Sequence, residues 1–301
     1  MITAAQRAEI AGAKPRRPAR TAGEAAAAAF PPLQIEAERV ALTVAQGAHG
    51  RRRVGSGDAF WQHRLYETRD EPRTIDWRRS ARSAEVYVRE NEWEAAQTAW
   101  VWRDASPSMD YAGRKDVPTK RRRADVLALA LVALLIRAGE RIGIVGADWP
   151  ATTGRRAFDL ATREIDEGPA APVSAPPQRD ATCAWISDFL DPLDALAESI
   201  ATAAHTGARG VLLHILDPTE EALPFKGRVK FHGLEGDGDV LLGDVGAARE
   251  AYAEAMQARR AALVDIAGRF GWRVLTHRTN RPPERALLAL HAAIGAAPAG
   301  R

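Results

Sequence analysis

One cysteine in 301 residues, Cys183, excludes an intramolecular disulfide and any cysteine-rich zinc site, and a reducing cytoplasm is the simplest compartment for such a chain. Its apolar neighbours point to a buried thiol. Long hydrophobic runs are also missing. The longest, Val126 to Ile136, falls well short of the roughly 20 residues that a helix needs to cross a bilayer, so no integral membrane segment is expected. No sign of charge dominates either: 42 Lys+Arg against 39 Asp+Glu leave a formal charge of +3, without the basic excess of a nucleic-acid-binding protein. The Gly-x-x-x-x-Gly-Lys phosphate loop and the Gly-x-Ser-x-Gly nucleophile elbow are absent, which argues against an intrinsic ATPase and a serine hydrolase.

What is present is apolar content, 46% of the chain, in patterns that change along its length. Residues 1–32 carry Arg7, Lys14, Arg16, Arg17 and Arg20 ahead of an alanine run, the composition of a disordered arm. Helical spacing of Ile35, Val40, Ala41 and Val44 predicts a short helix over 33–46, stopped by Gly47 and Gly50. Phe60, Trp61, Tyr66, Ile75 and Trp77 then lie scattered among charges, and Val86 and Val88 alternate as in a strand. Residues 33–97 therefore read as a small N-terminal satellite.

From residue 98 to 301 apolar strand-length runs alternate with helical periods. Strands are expected at 99–103, 141–147, 182–187, 210–216 and 272–277, and helices at 121–138, 155–165, 192–205, 247–270 and 283–294. A hairpin is expected within 225–242. This alternation predicts an α/β fold, a doubly wound, mostly parallel sheet covered on both faces, whose ligand crevice lies beyond the carboxyl ends of the strands.

Three acids, Asp104, Asp188 and Asp217, fall just past predicted strand ends. Beside the first, Asp104-Ala105-Ser106-Pro107-Ser108 has a spacing that lets a tight loop turn one carboxylate and two hydroxyls toward one point. Hard cations such as Mg²⁺ choose oxygen ligands and keep several waters, so such a set can hold one and leave positions open. A strand end followed by a serine-capped helix start accounts for the same residue types equally well.

The Asp104 to Ser108 segment resembles the Asp-x-Ser-x-Ser of the metal-ion-dependent adhesion site in von Willebrand A domains, and Ser187-Asp188 resembles that site's later Ser-Asp strand end. Upstream, Arg51-Arg52-Arg53, Gly55-x-Gly57-x-x-Phe60, Arg64-x-Tyr66, Asp70, Arg73-x-Ile75-Asp76-Trp77 and Ser80-Ala81-Arg82 resemble the signature of the domain-of-unknown-function 58 family. Leu223-Pro224-Phe225, Gly271-Trp272 and Arg281-Pro282-Pro283 resemble the tail of its shorter members. One departure is Tyr66-Glu67-Thr68-Arg69-Asp70, where members commonly carry Tyr-x-Pro-Gly-Asp.

The resemblance implies a von Willebrand A-like sheet holding Mg²⁺, or Mn²⁺ or Ca²⁺, through Asp104, Ser106 and Ser108. It also implies Asp188 acting mostly through water and a threonine from the loop before the 155–165 helix. Thr153 is the choice for that ligand and Thr152 the alternative. The metal's open position would accept a partner's carboxylate, and family members pair with MoxR-type AAA+ ATPases in protein maturation. The expected role is thus a cytoplasmic adaptor or chaperone-like protein serving such an ATPase and a client, not an enzyme. A Mg²⁺-dependent hydrolase using Asp104 and Asp188, or a metal-free scaffold, are the alternatives.

Other features have plainer readings. Arg114, Lys115 and Lys120 to Arg123 form a basic cluster beside the loop, expected mainly as a solvated helix start. Asp76, Trp77 and Arg78 to Arg82 read as a binding surface or as a buried ion pair. His205, His214 and His232 lack ligand-like spacing and are expected to be structural.

Overall fold

The computed structural model describes residues 33–45, 60–67, 75–83, 85–91, 97–167, 173–174, 176, 178–234 and 238–295. The N-terminal arm, the 51–57 motif, the 68–74 turn with Asp70 and Arg73, and most of the 168–177 loop lie outside them.

Helix α1 covers 33–45, as its spacing predicts. Strands β1 (Phe60–Leu65) and β2 (Tyr87–Asn91) pair antiparallel. Between them, the single turn α2 (Trp77–Ser80) is capped by Asp76, whose carboxylate accepts the Arg79 amide, and no residue of α2 is buried. Of the two readings of this stretch, the buried one is not what forms: the Trp77 indole is 66% exposed, and Arg78, Arg79 and Arg82 are exposed beside it.

The main sheet has five parallel strands in the order β4-β3-β5-β6-β9. They are β3 (Thr98–Arg103), β4 (Arg141–Ile144), β5 (Thr182–Ser187), β6 (Arg209–Leu216) and β9 (Arg273–Arg278). Helices cover both faces, because side chains alternate across a strand and both sets are apolar. On one face Ala99, Val101, Ile142, Ala184, Ile186 and Leu213 meet α1, α3 (Lys120–Arg137), α4 (Gly154–Glu167) and α8 (Pro283–Ile294). On the other, Trp100, Trp102, Cys183, Trp185 and Leu212 meet α5 (Leu193–His205) and α7 (Val245–Arg269). Cys183 is buried, and the apolar surroundings push its thiol up to about 12. Two short elements complete the set: α6 (Pro218–Ala222) and the hairpin β7 (Val229–His232) with β8 (Asp239–Leu242). The whole is a mixed α/β fold of Rossmann-like kind.

Helix α3 is apolar on every side from Val126 to Leu135, and all ten of those residues are buried. A helix without a polar face belongs in a core, which is where the longest apolar run of the chain goes. No described helix is long and apolar enough to cross a membrane.

The strand order decides where a ligand can approach. From β3 the chain crosses to β4 on one side, and from β5 to β6 on the other, while the helices that follow, α3 and α5, pack on opposite faces. The carboxyl ends of β3 and β5 are neighbours whose outgoing loops part, and this opening is where open α/β sheets bind ligands.

Candidate metal centre

Asp104 follows β3 and Asp188 follows β5, so the two acids flank the opening. Both are buried, with 5% and 2% exposure. Asp104 begins the loop by accepting the Ser106 amide on Oδ1 at 2.7 Å, which turns the chain back over the strand end. Its Oδ2 accepts the Ser187 hydroxyl at 2.6 Å, a bond that stitches β3 to β5 across the opening. Ser106 and Ser108 bring their hydroxyl oxygens to 3.0 Å from each other. Ser106 precedes the 3₁₀ turn Pro107–Asp110 without a capping bond from its side chain, and the cap of α3 is Thr119, whose hydroxyl accepts the Arg122 amide. The loop therefore keeps its two serine hydroxyls side by side just past Asp104 and does not spend the Ser106 side chain on a helix cap.

Ser187 also accepts the Phe189 amide at 2.7 Å. Phe189 has φ +49°, the left-handed region that a bulky residue enters only when its surroundings hold it there. Arg259 supplies part of that hold, since its Nε donates to the Phe189 carbonyl at 3.0 Å. The backbone is thus bent directly beside Asp188.

Asp217, the third acid, has a structural task. Its Oδ1 accepts the Thr219 amide and hydroxyl at 2.8 and 2.5 Å, and Glu220 reaches back to the Asp217 amide, forming a capping box for α6. Its Oδ2 accepts the Gly113 amide at 3.2 Å and the Thr279 hydroxyl at 3.3 Å. Asp217 therefore ties the far part of the Asp104 loop to the ends of β6 and β9. Only glycine serves at 113, because a Cβ there would fall 1.7 Å from the Thr219 hydroxyl.

The threonine expectation is corrected. Thr153 donates its hydroxyl to the Glu140 carbonyl at 2.9 Å, and Thr152 pairs antiparallel with Ile142. Residue 141 stands opposite Thr98, so Thr153 lies at the amino end of the sheet, about six residues or roughly 20 Å along the strand from Asp104. Thr152 lies one pair further on and still far from the rim. The Ile142–Thr152 bridge turns the chain back along β4, so neither threonine reaches the opening.

The basic cluster is corrected too. Lys120 is wholly buried, with Nζ 2.8 Å from Asp188 Oδ2 and 2.5 Å from Glu220 Oε1. Burial by itself would lower its pKa, yet the two carboxylates outweigh burial and hold the ammonium above its ordinary value. Arg121 donates to the Ala105 and Ser106 carbonyls at 2.8 and 3.1 Å and pairs with Asp110. Arg122 meets Glu36 of α1, and Arg123 donates to the Thr279 carbonyl. Arg114, bonded to Asp116, and the exposed Lys115 keep the solvated character expected of the cluster. Sequence reasoning missed Lys120, although the all-round apolar pattern of α3 carried the signal: four successive residues at the mouth of a buried helix cannot all face water.

His214, on β6, lies buried against Phe189 with ring centroids 6.1 Å apart. Burial pushes its pKa down to about 4, despite the opposing pull of Asp188.

As a donor set, a carboxylate with two adjacent hydroxyls suits a hard divalent cation, while the Asp188 side of the rim already holds the Lys120 ammonium. Among the described residues no group of three or more His, Cys, Asp or Glu side chains is disposed to hold a metal ion, so a cation here would have to rely on hydroxyls and water.

Residues 62–262 match the family described as Protein of unknown function DUF58. The chain belongs to that family. Among curated proteins, uncharacterized proteins from Mycobacterium bovis and Mycobacterium tuberculosis are 28% identical over 274 residues, covering 85% of each chain. Two solved structures are similar: the conserved hypothetical protein BatB from Bacteroides thetaiotaomicron and an aerotolerance-related membrane protein from Bacteroides fragilis. They are 15% and 14% identical, each covering 66% of this chain and 98% of its own, with a TM-score of 0.42. Neither likeness carries an inference about function.

Proposed function

We propose that this DUF58 protein binds a divalent cation, Mg²⁺ or Mn²⁺, at a von Willebrand A-type site over the β3–β5 opening and uses it to dock a protein partner. The observation that carries this reading is the tight loop at the rim, in which Asp104 accepts the Ser106 amide, the Ser106 and Ser108 hydroxyls stand side by side, and Ser187 locks Asp104 in place from the neighbouring strand. Asp104 and the two serines would hold the ion, and Asp188 would act through water. When bound, the ion would supply an open position for a partner's carboxylate, a charge-assisted contact that a neutral side chain cannot match. Thr153 has no part in it.

The partner in this reading is a MoxR-type AAA+ ATPase, for which the chain serves as adaptor or chaperone-like subunit, presenting a client in protein maturation. Calorimetric titration with Mg²⁺ and Mn²⁺ tests the metal, and Asp104→Ala should abolish the heat. Pull-down of the ATPase with and without chelator tests the docking, which chelation should weaken. No heat with either ion, or capture indifferent to chelator, overturns the reading.

The Lys120 ammonium favours one other reading, a metal-free scaffold in which the lysine is the permanent countercharge of the rim. The same titration separates the two.

A further inference from the structure

We propose that Lys120 is a tethered cation that competes with a bound metal for Asp188, leaves that carboxylate at most a weak contact through water, and so sets how tightly the rim holds a divalent ion. The inference rests on the metal reading above, and its test distinguishes the two.

The geometry is specific. Asp188 has both oxygens engaged, Oδ2 by Lys120 Nζ at 2.8 Å and Oδ1 by the Leu190 amide at 3.2 Å. Lys120 cannot drift, because it is the first residue of α3 and its own amide donates to the Tyr111 carbonyl at 3.0 Å. The Tyr111 ring stands 5.7 Å from Nζ, and the Tyr111 hydroxyl is 2.9 Å from that of Thr219. The lysine is therefore anchored to the same segment that carries Asp104, Ser106 and Ser108.

A buried ammonium persists only where carboxylates compensate its lost hydration, and here Asp188 and Glu220 do so. The same contact has a consequence for the metal. A divalent ion beside Asp104 meets a fixed positive charge on the Asp188 side, and that carboxylate is already neutralised. Without the ammonium, Asp188 would be free to favour the ion directly or through water.

The experiment titrates Mn²⁺ into the full chain by calorimetry. The main variant is Lys120→Met/Glu220→Gln, which keeps the lysine stem's bulk and removes one carboxylate that would otherwise be stranded. It should bind Mn²⁺ at least tenfold more tightly than the wild type, and adding Asp188→Asn should erase the gain. Equal or weaker binding by the folded variant overturns the proposal, while leaving the docking reading intact if the wild type binds. Binding by the variant but not by the wild type supports the proposal and ends the docking reading. If the variant fails to fold by circular dichroism, Asp188→Asn alone decides: a change within twofold supports the lysine's claim on Asp188, and a tenfold loss refutes it. No Mn²⁺ binding by any folded protein ends both.

Discussion

Removing a single oxygen, by Ser187→Ala, tests whether the opening between β3 and β5 is held by the bonds described. The hydroxyl donates to Asp104 Oδ2 at 2.6 Å and accepts the Phe189 amide at 2.7 Å, and the residue is 1% exposed. A hydrogen bond to a charged group contributes about 1.5–3 kcal/mol, and a buried amide left without a partner costs about 1–3 kcal/mol. Because relaxation serves both groups at once, the net loss should be about 3 kcal/mol, not the full sum. Urea unfolding should show a lower midpoint with an unchanged slope, since the native fold and the surface exposed on unfolding stay the same. A double-mutant cycle with Asp104→Asn isolates the Ser187–Asp104 contact, and its coupling energy should be about 1 kcal/mol or more. A loss under about 1 kcal/mol for Ser187→Ala would refute the reasoning, because it would mean that water replaces the hydroxyl at no cost.

Thr153→Ala should leave Mn²⁺ affinity within twofold of the wild type, since its hydroxyl serves the Glu140 carbonyl at the other end of the sheet; a tenfold loss by calorimetry would return it to the site. Gly113→Ala should destabilise by about 1–3 kcal/mol in urea, the usual cost of an overpacked contact, with partial recovery when Thr219→Ala opens the space. Stability should also fall with acidity. His214 and His277 are buried and pushed down to about 4, below the unfolded value near 6.5, so between those limits the unfolded chain binds more protons and stability rises with pH. Asp125, pushed up to about 6 by burial despite Arg103, and Glu220, raised by burial despite Lys120, have the opposite sign, while Glu221, lowered by its bond to Arg278, adds to the two histidines, which carry the balance. Thermal unfolding at pH 4.5 and 7 should show the lower midpoint at pH 4.5; an equal or higher one refutes the assignment.

The strands and helices were legible because this sheet is buried on both faces, which writes each strand as a continuous apolar run bounded by polar turns. Asp104 and Asp188 were legible for the same reason, as the first polar residues after such runs. What escaped was decided by tertiary contacts. Thr152 and Thr153 read as the start of α4, and only the bridge to Ile142 sends them to the amino end. Asp217 read as one of three rim acids, yet Asp-Pro-Thr-Glu is the spacing of a capping box and could have been weighed as one. Lys120 to Arg123 read as a solvated run because local composition does not say that the helix beyond them has no exposed face.

The charges at the opening connect these points. Asp188 and Glu220 share a single buried ammonium, Glu220 in turn accepts the Asp217 amide, and Arg121 on the outer side of the Asp104 loop is already engaged by Asp110. Backbone amides and hydroxyls stabilise Asp217 fully, and Lys120 serves Asp188 and Glu220 together. Asp104 differs from these: no described cation is hydrogen-bonded to its carboxylate, its oxygens are met by one amide and one hydroxyl against the four neutral donors of Asp217, and Arg103 and Arg121 act on it only at longer range. Buried carboxylates are costly unless paired or bound to a metal. That leaves Asp104, and not the better-compensated Asp188, as the place where a divalent ion would gain most. Asp104→Asn should therefore cost more Mn²⁺ affinity than Asp188→Asn, and the reverse order would move the centre of the site to β5.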